Sequence, residues 1–251
     1  MIVDFHSHFL PSIDDGAKDV EMSLRMLEKS METGVTEIVS TSHCYAYSSD
    51  EIETFLEERD AAFKTLSDAA AEQGRELPEI YLGSEVHMTC DLSKMRAIHK
   101  LYIEGTDYIL LEMPSSPWSD AVIECVYKMS LKGITPIIAH MERNLRQKPE
   151  LLNQLYNLDI LVQINAESFG FGPLKKYIDN MMKNKLIHII GSDMHNMENR
   201  KPNIDNAHKY ITKRYGGECW EYLMNNARSV LKQNSLPFEA LKSFKKKTLF
   251  G

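Results

Sequence analysis

Two histidines near the amino terminus, His6 and His8, stand two residues apart directly after a short apolar run. Side chains at positions i and i+2 of a β-strand point to the same side, so a strand would present both imidazoles together. Two imidazoles presented together supply about half of the ligands of a tetrahedral metal site. The pair is only moderately specific by itself, because two polar loop histidines can share this spacing by chance.

Five later apolar runs also end in residue types that bind metals. These residues are His43 in STSH, Glu85 in LGSE, Glu112 in ILLE, His140 in IIAH, and Asp193 with His195 in IIGSDMH. An imidazole or carboxylate that follows several buried aliphatic residues costs free energy unless something compensates it. One such residue is usually an ordinary core or capping group. Six runs with the same kind of ending predict a metal centre.

The donor set contains at least eight imidazoles and carboxylates and no cysteine. One catalytic zinc uses about three protein ligands, so the set predicts two to three divalent metal ions. Mixed nitrogen and oxygen donors favour Mn, with Fe or Zn as alternatives, over a Mg site built only from oxygen. Metal ions about 3.5–4 Å apart can deprotonate a bridging water and stabilise an in-line displacement at phosphorus.

Two arginines extend this pattern. Arg143 lies three residues past His140, and Arg200 lies five residues past His195. Two guanidinium groups beside a metal cluster can bind phosphate oxygens bidentately. Either arginine alone would be read as a surface ion pair, but together they indicate a phosphate ester rather than an amide as substrate.

Several polar residues near the pattern have roles that spacing leaves open. Asp14 and Asp15 precede Gly16, and one of them could bind metal while the other caps the following helix. Asn165 ends the sixth apolar run, where it could hydrogen-bond a ligand or cap a turn. His87 is interpreted as a surface residue or a residue at the rim of the site.

The elements that must position these residues alternate between strand and helix about seven times. The predicted strands are 2–5, 37–40, 79–84, 108–111, 135–139, 161–164 and 187–190. The predicted helices are 19–32, 50–73, 92–101, 119–132, 149–156, 174–184, 203–214, and 219–225 with an extension toward 241. Uninterrupted alternation predicts an α/β fold, a single domain over residues 1–251 in the form of a (β/α) barrel, whose chemistry gathers at the carboxyl ends of the strands.

An open doubly wound sheet is the alternative fold. No GxGxxG follows a predicted strand and no GxxxxGK[ST] occurs in the chain, which weakens the nucleotide-binding versions of that fold. The 29 Lys and Arg residues against 36 Asp and Glu residues give a net charge of −7, which disfavours nucleic acid as a partner. The basic run 245–247 is interpreted as a solvated tail. The absence of a signal peptide and of a long apolar run predicts a cytoplasmic protein without membrane insertion.

The motifs occur in the order seen in the PHP (polymerase and histidinol phosphatase) superfamily. The segments that carry this likeness are HSHFLPSIDDG, GVTEIVSTSH, LGSEVHMT, LLEMP, GITPIIAHMERN, VQINAESFGFG and GSDMHNMENR. Over residues 1 to about 230 the chain resembles most closely the bacterial capsule-type (CpsB/CapC-like) tyrosine-protein phosphatases. The DDG, AHxER and SDMHN segments together separate this branch from other PHP proteins.

The resemblance implies a distorted (β/α)7 barrel with three metal ions. By the family pattern, His6, His8, Glu85 and Asp193 would hold the first ion, Glu85, Glu112 and His140 the second, and Asp15, His43 and His195 the third. Arg143 and Arg200 match the phosphate-binding arginines. The implied activity is that of a phosphoric monoester hydrolase: metal-activated hydroxide attacks the phosphorus of phosphotyrosine on the tail of a bacterial tyrosine kinase that regulates capsular or exopolysaccharide synthesis.

Three rival functions follow from the sequence. Cys90 and Arg96 satisfy the CX5R spacing of cysteine phosphatases, but the intervening segment has no glycine to let a phosphate loop curl. The same metal centre could act on a small phosphomonoester such as histidinol phosphate. The chain could also be a non-catalytic kinase-docking module. The sequence is compatible with an oligomer and does not fix the state.

Overall fold

The computed structural model describes residues 1–170 and 172–233, in which strands and helices alternate. The strands are β1 Ile2–Ser7, β2 Val35–Ser40, β3 His43–Cys44, β4 Glu79–Leu82, β5 Glu85–His87, β6 Tyr108–Glu112, β7 Thr135–Ile138, β8 Leu161–Asn165 and β9 Ile189–Gly191. The helices are α1 Val20–Glu32, α2 Ser49–Glu72, α3 Asp120–Ser130, α4 Pro149–Tyr156, α5 Lys175–Lys183, α6 Ile204–Tyr215 and α7 Gly217–Leu231. Short 3₁₀ helices cover Leu92–Lys94, Ile98–Leu101, Met141–Asn144 and Ala166–Ser168.

All strand pairs are parallel and form a curled sheet. One part has the order β1-β2-β4 and the other β3-β5-β6-β7-β8-β9. The two parts are continuous along the chain, because β3 follows β2 and β5 follows β4 after interruptions of two residues. Strands β2 and β4 pair with each other, and so do β3 and β5 beyond the interruptions. The curvature turns the carboxyl ends of the strands toward one opening.

The two outer edges of this sheet approach each other at β1 and β9. The amide of Asp193 donates to the carbonyl of His6 at 2.8 Å, and the amide of His8 donates to the carbonyl of Met194 at 2.9 Å. Gly191 makes this approach feasible, because a Cβ there would collide with the Cβ and the backbone nitrogen of His6. A glycine is therefore required directly beneath the first histidine of the predicted site.

The helices cover the outside of the sheet with their apolar faces. Asp19 caps α1 by accepting the amide proton of Met22 at 2.8 Å, and Leu24 and Leu27 on the inward face are fully buried. The long helix α2 buries Ile52 and Leu66 in the same way, so it belongs to the outer layer of the fold. Among the described helices, none combines the length and the apolar character needed to cross a membrane.

The predicted helix over 92–101 is wrong. The structure has two 3₁₀ helices there, and its apolar residues recur at intervals of three: Leu92, Met95, Ile98 and Leu101 are all buried. That spacing matches three residues per turn rather than 3.6.

Most other boundaries shift by one or two residues, and two of these shifts change how the chain is interpreted. Glu85 begins the short strand β5 instead of ending the strand before it, and α7 runs further toward the amino terminus than expected, starting at Gly217. The predicted extension toward 241 and the basic run 245–247 lie outside the described residues.

Candidate metal centre

The carboxyl ends of the strands bring all nine predicted ligand residues together. We call this set the donor cluster: His6, His8, Asp15, His43, Glu85, Glu112, His140, Asp193 and His195. Donor atoms lie within 4.8 Å of one another in three groups: His8, Asp15, His43 and His195; His6, His8 and Asp193; and His43, Glu85 and Glu112. His140 joins through its Nε2, which is 2.6 Å from Glu85 Oε1 and 3.7 Å from Glu112 Oε1.

His6 and His8 face each other with their Nε2 atoms 3.0 Å apart. His6 donates from Nδ1 to Gln163 Oε1 at 3.2 Å, and His8 donates from Nδ1 to Asp14 Oδ2 at 2.8 Å. In its neutral form each ring would therefore carry its lone pair on Nε2, and the two lone pairs would point toward the same space. A cation between them, either a proton or a metal ion, is what reconciles this geometry.

Glu85 is the carboxylate that the histidines share. It is 1% exposed, and its oxygens lie 3.1–3.3 Å from ring nitrogens of His6, His8 and His43. Burial raises the pKa of this carboxyl group, but the surrounding imidazoles prevail and hold it well below its usual value. Burial likewise lowers the pKa of His8, whereas its bonds to Asp14 and Glu85 raise it to about 10. Glu85 and His8 are therefore charged although they are buried. Burying these charges costs free energy unless opposite charges or cations compensate it.

Gln163 was missed by the sequence analysis, and it hydrogen-bonds His6, His140 and Asn165 beneath the cluster. Its side chain is fully buried, and its Oε1 accepts the backbone amide proton of His140 at 2.7 Å as well as the proton on His6 Nδ1. Its Nε2 donates to Asn165 Oδ1 at 2.9 Å, and Asn165 Nδ2 donates to Asp193 Oδ2 at 2.7 Å. Donor and acceptor are fixed at every bond of this relay, which runs from His6 through Gln163 and Asn165 to Asp193. Because Gln163 Oε1 can only accept, Nδ1 is the nitrogen of His6 that carries the proton. A glutamine inside the apolar run VQIN was the available signal.

The two neighbouring aspartates have different positions. Asp14 lies behind the cluster, where its carboxylate accepts from His8 Nδ1 and from the amides of His43 and Gly16. Asp15 is 65% exposed, and its Oδ1 lies 3.4 Å from His43 Nε2 and 3.3 Å from His195 Nε2. Asp15 is thus the one placed among ring nitrogens. The expected helix cap is neither residue, because Asp19 takes that role.

Asp193 gathers both predicted arginines at the opening. Arg143 Nη2 lies 2.6 Å from its Oδ2, and Arg200 Nη2 lies 2.7 Å from its Oδ1. Burial raises the pKa of Asp193, but the charges of His6, His8 and the two guanidinium groups lower it well below its usual range. The arginine side chains remain 47% and 33% exposed, so their other nitrogens are accessible from solvent.

Two ligand-type residues sit on strained backbone. His140 has a φ of 31° and Asp193 a φ of 55°, in the left-handed region that disfavours residues with a Cβ. Asp4, also missed from sequence, supports the second turn: it is buried, and its Oδ1 accepts the amide proton of Ser192 at 2.8 Å. Such strain persists only where the surroundings hold it, and here it aims both side chains into the cluster.

Glu112 and His87 form the edge of the cluster. His87 Nδ1 lies 2.7 Å from Glu112 Oε2, and the His87 side chain is 27% exposed. His87 is therefore half-buried rather than a free surface residue, and it orients a carboxylate of the cluster. Of the two roles predicted for Asn165, the structure shows the hydrogen bond within the site. Its side chain donates to Asp193 and does not cap a turn.

The donor cluster fits divalent cations. His195 Nε2 is buried without a hydrogen bond, Asp15 Oδ1 lies 3.3 Å from it, and the two Nε2 lone pairs of His6 and His8 converge. Imidazoles whose far nitrogen is held by a carboxylate or an amide are the usual metal ligands in proteins. A curled parallel sheet with this cluster at its carboxyl edge defines the class: an α/β protein with a candidate metal centre.

Comparison with known proteins narrows this class. Residues 2–232 match the family model described as capsular polysaccharide synthesis, CpsB/CapC, and the chain belongs to that family. The tyrosine-protein phosphatase CpsB of Streptococcus agalactiae serotype III is 32% identical over 248 residues, which cover 93% of this chain and 99% of that protein.

Solved structures agree with this assignment. A structure from work on YwqE of Bacillus subtilis and CpsB of Streptococcus pneumoniae, described as unique metal-dependent tyrosine phosphatases, superimposes with a TM-score of 0.79 at 27% identity and covers 94% of this chain and 96% of that one. A TatD-family hydrolase of Entamoeba histolytica has a TM-score of 0.56 at 12% identity and covers 91% of this chain and 97% of its own. The latter likeness concerns the fold alone.

Proposed function

We propose that this chain is a metal-dependent protein-tyrosine phosphatase that hydrolyses phosphotyrosine on the tail of a bacterial tyrosine kinase controlling capsular or exopolysaccharide synthesis. The observation that carries the proposal is the convergence of three donor groups with two accessible guanidinium groups on one edge of the sheet. The phosphatase relatives and their link to capsule synthesis support the substrate and the setting.

The proposal includes the metal content and the fold. The three ions would be held by His6, His8, Glu85 and Asp193, by Glu85, Glu112 and His140, and by Asp15, His43 and His195. Mn is the favoured ion, with Fe or Zn as alternatives. We further propose one domain over residues 1–251 with a distorted (β/α)7 barrel, obtained when β2 with β3 and β4 with β5 each count as one interrupted strand. A cytoplasmic location fits the same function.

The metal ions, the arginines and the buried amides of the site would have different roles in the reaction. Divalent ions, when bound, lower the pKa of a coordinated water and neutralise phosphate charge. Arg143 and Arg200 bind the non-bridging oxygens of the phosphate with the guanidinium nitrogens that Asp193 leaves accessible. Gln163 and Asn165 keep His6 and Asp193 in one orientation before the substrate arrives, so that little reorganisation remains for the transition state.

Cys90 does not offer a competing mechanism. It is exposed and lines a cavity of about 280 Å³ together with Asp91, whose carboxylate would repel a phosphate. The segment between Cys90 and Arg96 contains the 3₁₀ helix Leu92–Lys94 and not a phosphate loop at the start of an α-helix.

The test is metal analysis combined with a phosphatase assay. Protein purified without chelator should contain two to three metal ions per chain, roughly as its ligand count implies. It should release phosphate from a phosphotyrosyl peptide, lose this activity to EDTA and regain it with Mn, and Cys90→Ser should behave like the wild type. A faster rate on histidinol phosphate would indicate a small-molecule phosphatase, and tight binding of a kinase tail without phosphate release would indicate a docking module.

A further inference from the structure

One exposed aromatic ring stands directly over the donor cluster. Tyr45 is 57% exposed, and its ring centroid lies 5.4 Å from that of His43 and 5.3 Å from that of His87. Both imidazoles contact this ring in tilted arrangements, with interplanar angles of 36° for His43 and 43° for His87. More than half of the Tyr45 side chain remains exposed, so part of the ring is available for stacking.

The cavity next to this ring connects apolar and ligand-type residues. It has a volume of about 240 Å³ and is lined by Ile13, Asp14, Asp15, His43 and Tyr45. A cavity of about 150 Å³ is enough to hold benzene. The space beside Tyr45, which Asp15 and His43 of the donor cluster also line, therefore has room for a phenyl group.

We propose that Tyr45 and Ile13 form an aryl-binding wall that selects aromatic phosphate esters. The inference rests on the proposed phosphatase function and names the residues that would give it specificity. A phosphate group held by Arg200, whose Nη1 lies 3.9 Å from Asp15 Oδ2 at the edge of this cavity, would place its ester oxygen toward the wall. A phenyl ring would then lie against Tyr45 in an offset or tilted arrangement, whereas the short alkyl chain of phosphoserine would leave most of the wall uncovered.

Neighbouring Tyr47 provides a matched control. It stands two residues further along the chain, is 68% exposed, and does not line the cavity. Its backbone amide donates to Glu51 Oε2, a bond that survives truncation of the side chain. Tyr47→Ala therefore removes an exposed ring of the same type that is not part of the proposed wall, and Tyr45→Phe keeps the ring while it removes the hydroxyl.

Binding of two phosphonates to the Mn-loaded protein separates the wall from the rest of the site. Calorimetry with Tyr45→Ala should show phenylphosphonate weakened about tenfold and methylphosphonate changed less than about twofold. Tyr45→Phe and Tyr47→Ala should bind both ligands like the wild type. On a phosphotyrosyl peptide, Tyr45→Ala should raise KM by a similar factor and leave kcat nearly unchanged.

Two results would contradict the proposal that Tyr45 and Ile13 form an aryl-binding wall. Equal weakening of both phosphonates would mean that Tyr45 acts only through His43, and unchanged binding of both would mean that the aryl group lies elsewhere. Failure of the proposed function has a different signature, because it would appear in the wild type as an inability to release phosphate from the peptide.

Discussion

The two ends of the curled sheet both bury histidines completely, but His6 and His8 at the carboxyl end differ in pKa from His188 at the other end. His6 and His8 lie at the carboxyl ends of the strands, where carboxylates outweigh burial and raise their pKa values. His188 lies just before β9, at the other end, where burial lowers its pKa to about 4. Its Nδ1 accepts the amide proton of Val162 at 3.0 Å, which suits a neutral ring.

Equal burial therefore does not give equal chemistry. The far end of the sheet uses a neutral histidine as a satisfied core residue, which costs little. The donor cluster gathers charged forms whose burial must be offset by each other or by cations. A protein retains such an arrangement for binding or catalysis, since an apolar core would be at least as stable.

Glu85 is the carboxylate at the centre of the donor cluster, and without it the histidines should resemble His188, which is neutral. Glu85→Ala leaves the histidines without their shared partner, so bound metal should fall and kcat/KM on a phosphotyrosyl peptide should drop at least about a thousandfold. Elemental analysis and the peptide assay measure both effects. Glu79→Gln, at the exposed first residue of β4, is the control and should change neither. Full activity in Glu85→Ala would refute the proposed ligand set.

The arginines sharpen the comparison at the outer edge of the cluster. Arg143→Ala and Arg200→Ala each remove a charge-assisted contact to phosphate, and each should lower kcat/KM about a hundredfold while metal content stays the same. Exposed Arg146 is the matched control, and Arg146→Ala should have the wild-type rate. If metal is lost together with activity, the arginines serve mainly to hold Asp193.

The far end makes its own prediction about pH. The folded pKa of His188 is about 4 against 6.5 in the unfolded chain, so only the unfolded chain takes up this proton between those values. The contribution to stability is present above about pH 6.5 and is lost as the pH falls, by about 2 kcal/mol from pH 7 to pH 5. Urea unfolding of His188→Gln and wild type at both pH values should show this difference, and parallel pH profiles would exclude it.

The relay beneath the cluster should give the smallest effect. Gln163→Leu keeps the side-chain volume roughly constant but removes the acceptor for His6 Nδ1 and the donor to Asn165. Loss of a residue that orients a metal ligand typically costs about tenfold to a hundredfold in metal affinity, and we expect the lower end here because His6 keeps its packing. Competition with a chelator measures the affinity. An unchanged value would show that packing alone orients His6.

The sequence predicts the residues that the structure gathers in the donor cluster better than it predicts the residues that orient them. His6, Glu112, His140 and Asp193 were identified because a charged or imidazole side chain after buried aliphatics is conspicuous in one dimension. Gln163 and Asp4 were missed because a single polar residue in an apolar run is common. Their value comes from partners far along the chain: Gln163 bonds His6 across 157 residues, and Asp4 bonds Ser192 across 188.

The helix prediction over 92–101 failed for a related reason. The segment from Leu92 to Leu101 was predicted as one α-helix. Its buried residues instead recur every third position, and only the contacts with the rest of the fold select this 3₁₀ spacing. Local propensity is weak in such short segments, and tertiary contacts select the conformation.

By itself, the sequence determined the alternation of strands and helices, the residue types at the strand ends and thus the kind of chemistry available. These are local properties, since strand period and side-chain type are written along the chain. Spacing left Asp14 and Asp15 open, the family resemblance implied Asp15, and the tertiary structure places Asp15 among the ring nitrogens. Only the tertiary structure decided that both arginines converge on Asp193 and that Tyr45 stands over His43. Those relations depend on how a curled sheet brings distant loops to one opening, and no spacing along the chain encodes that distance.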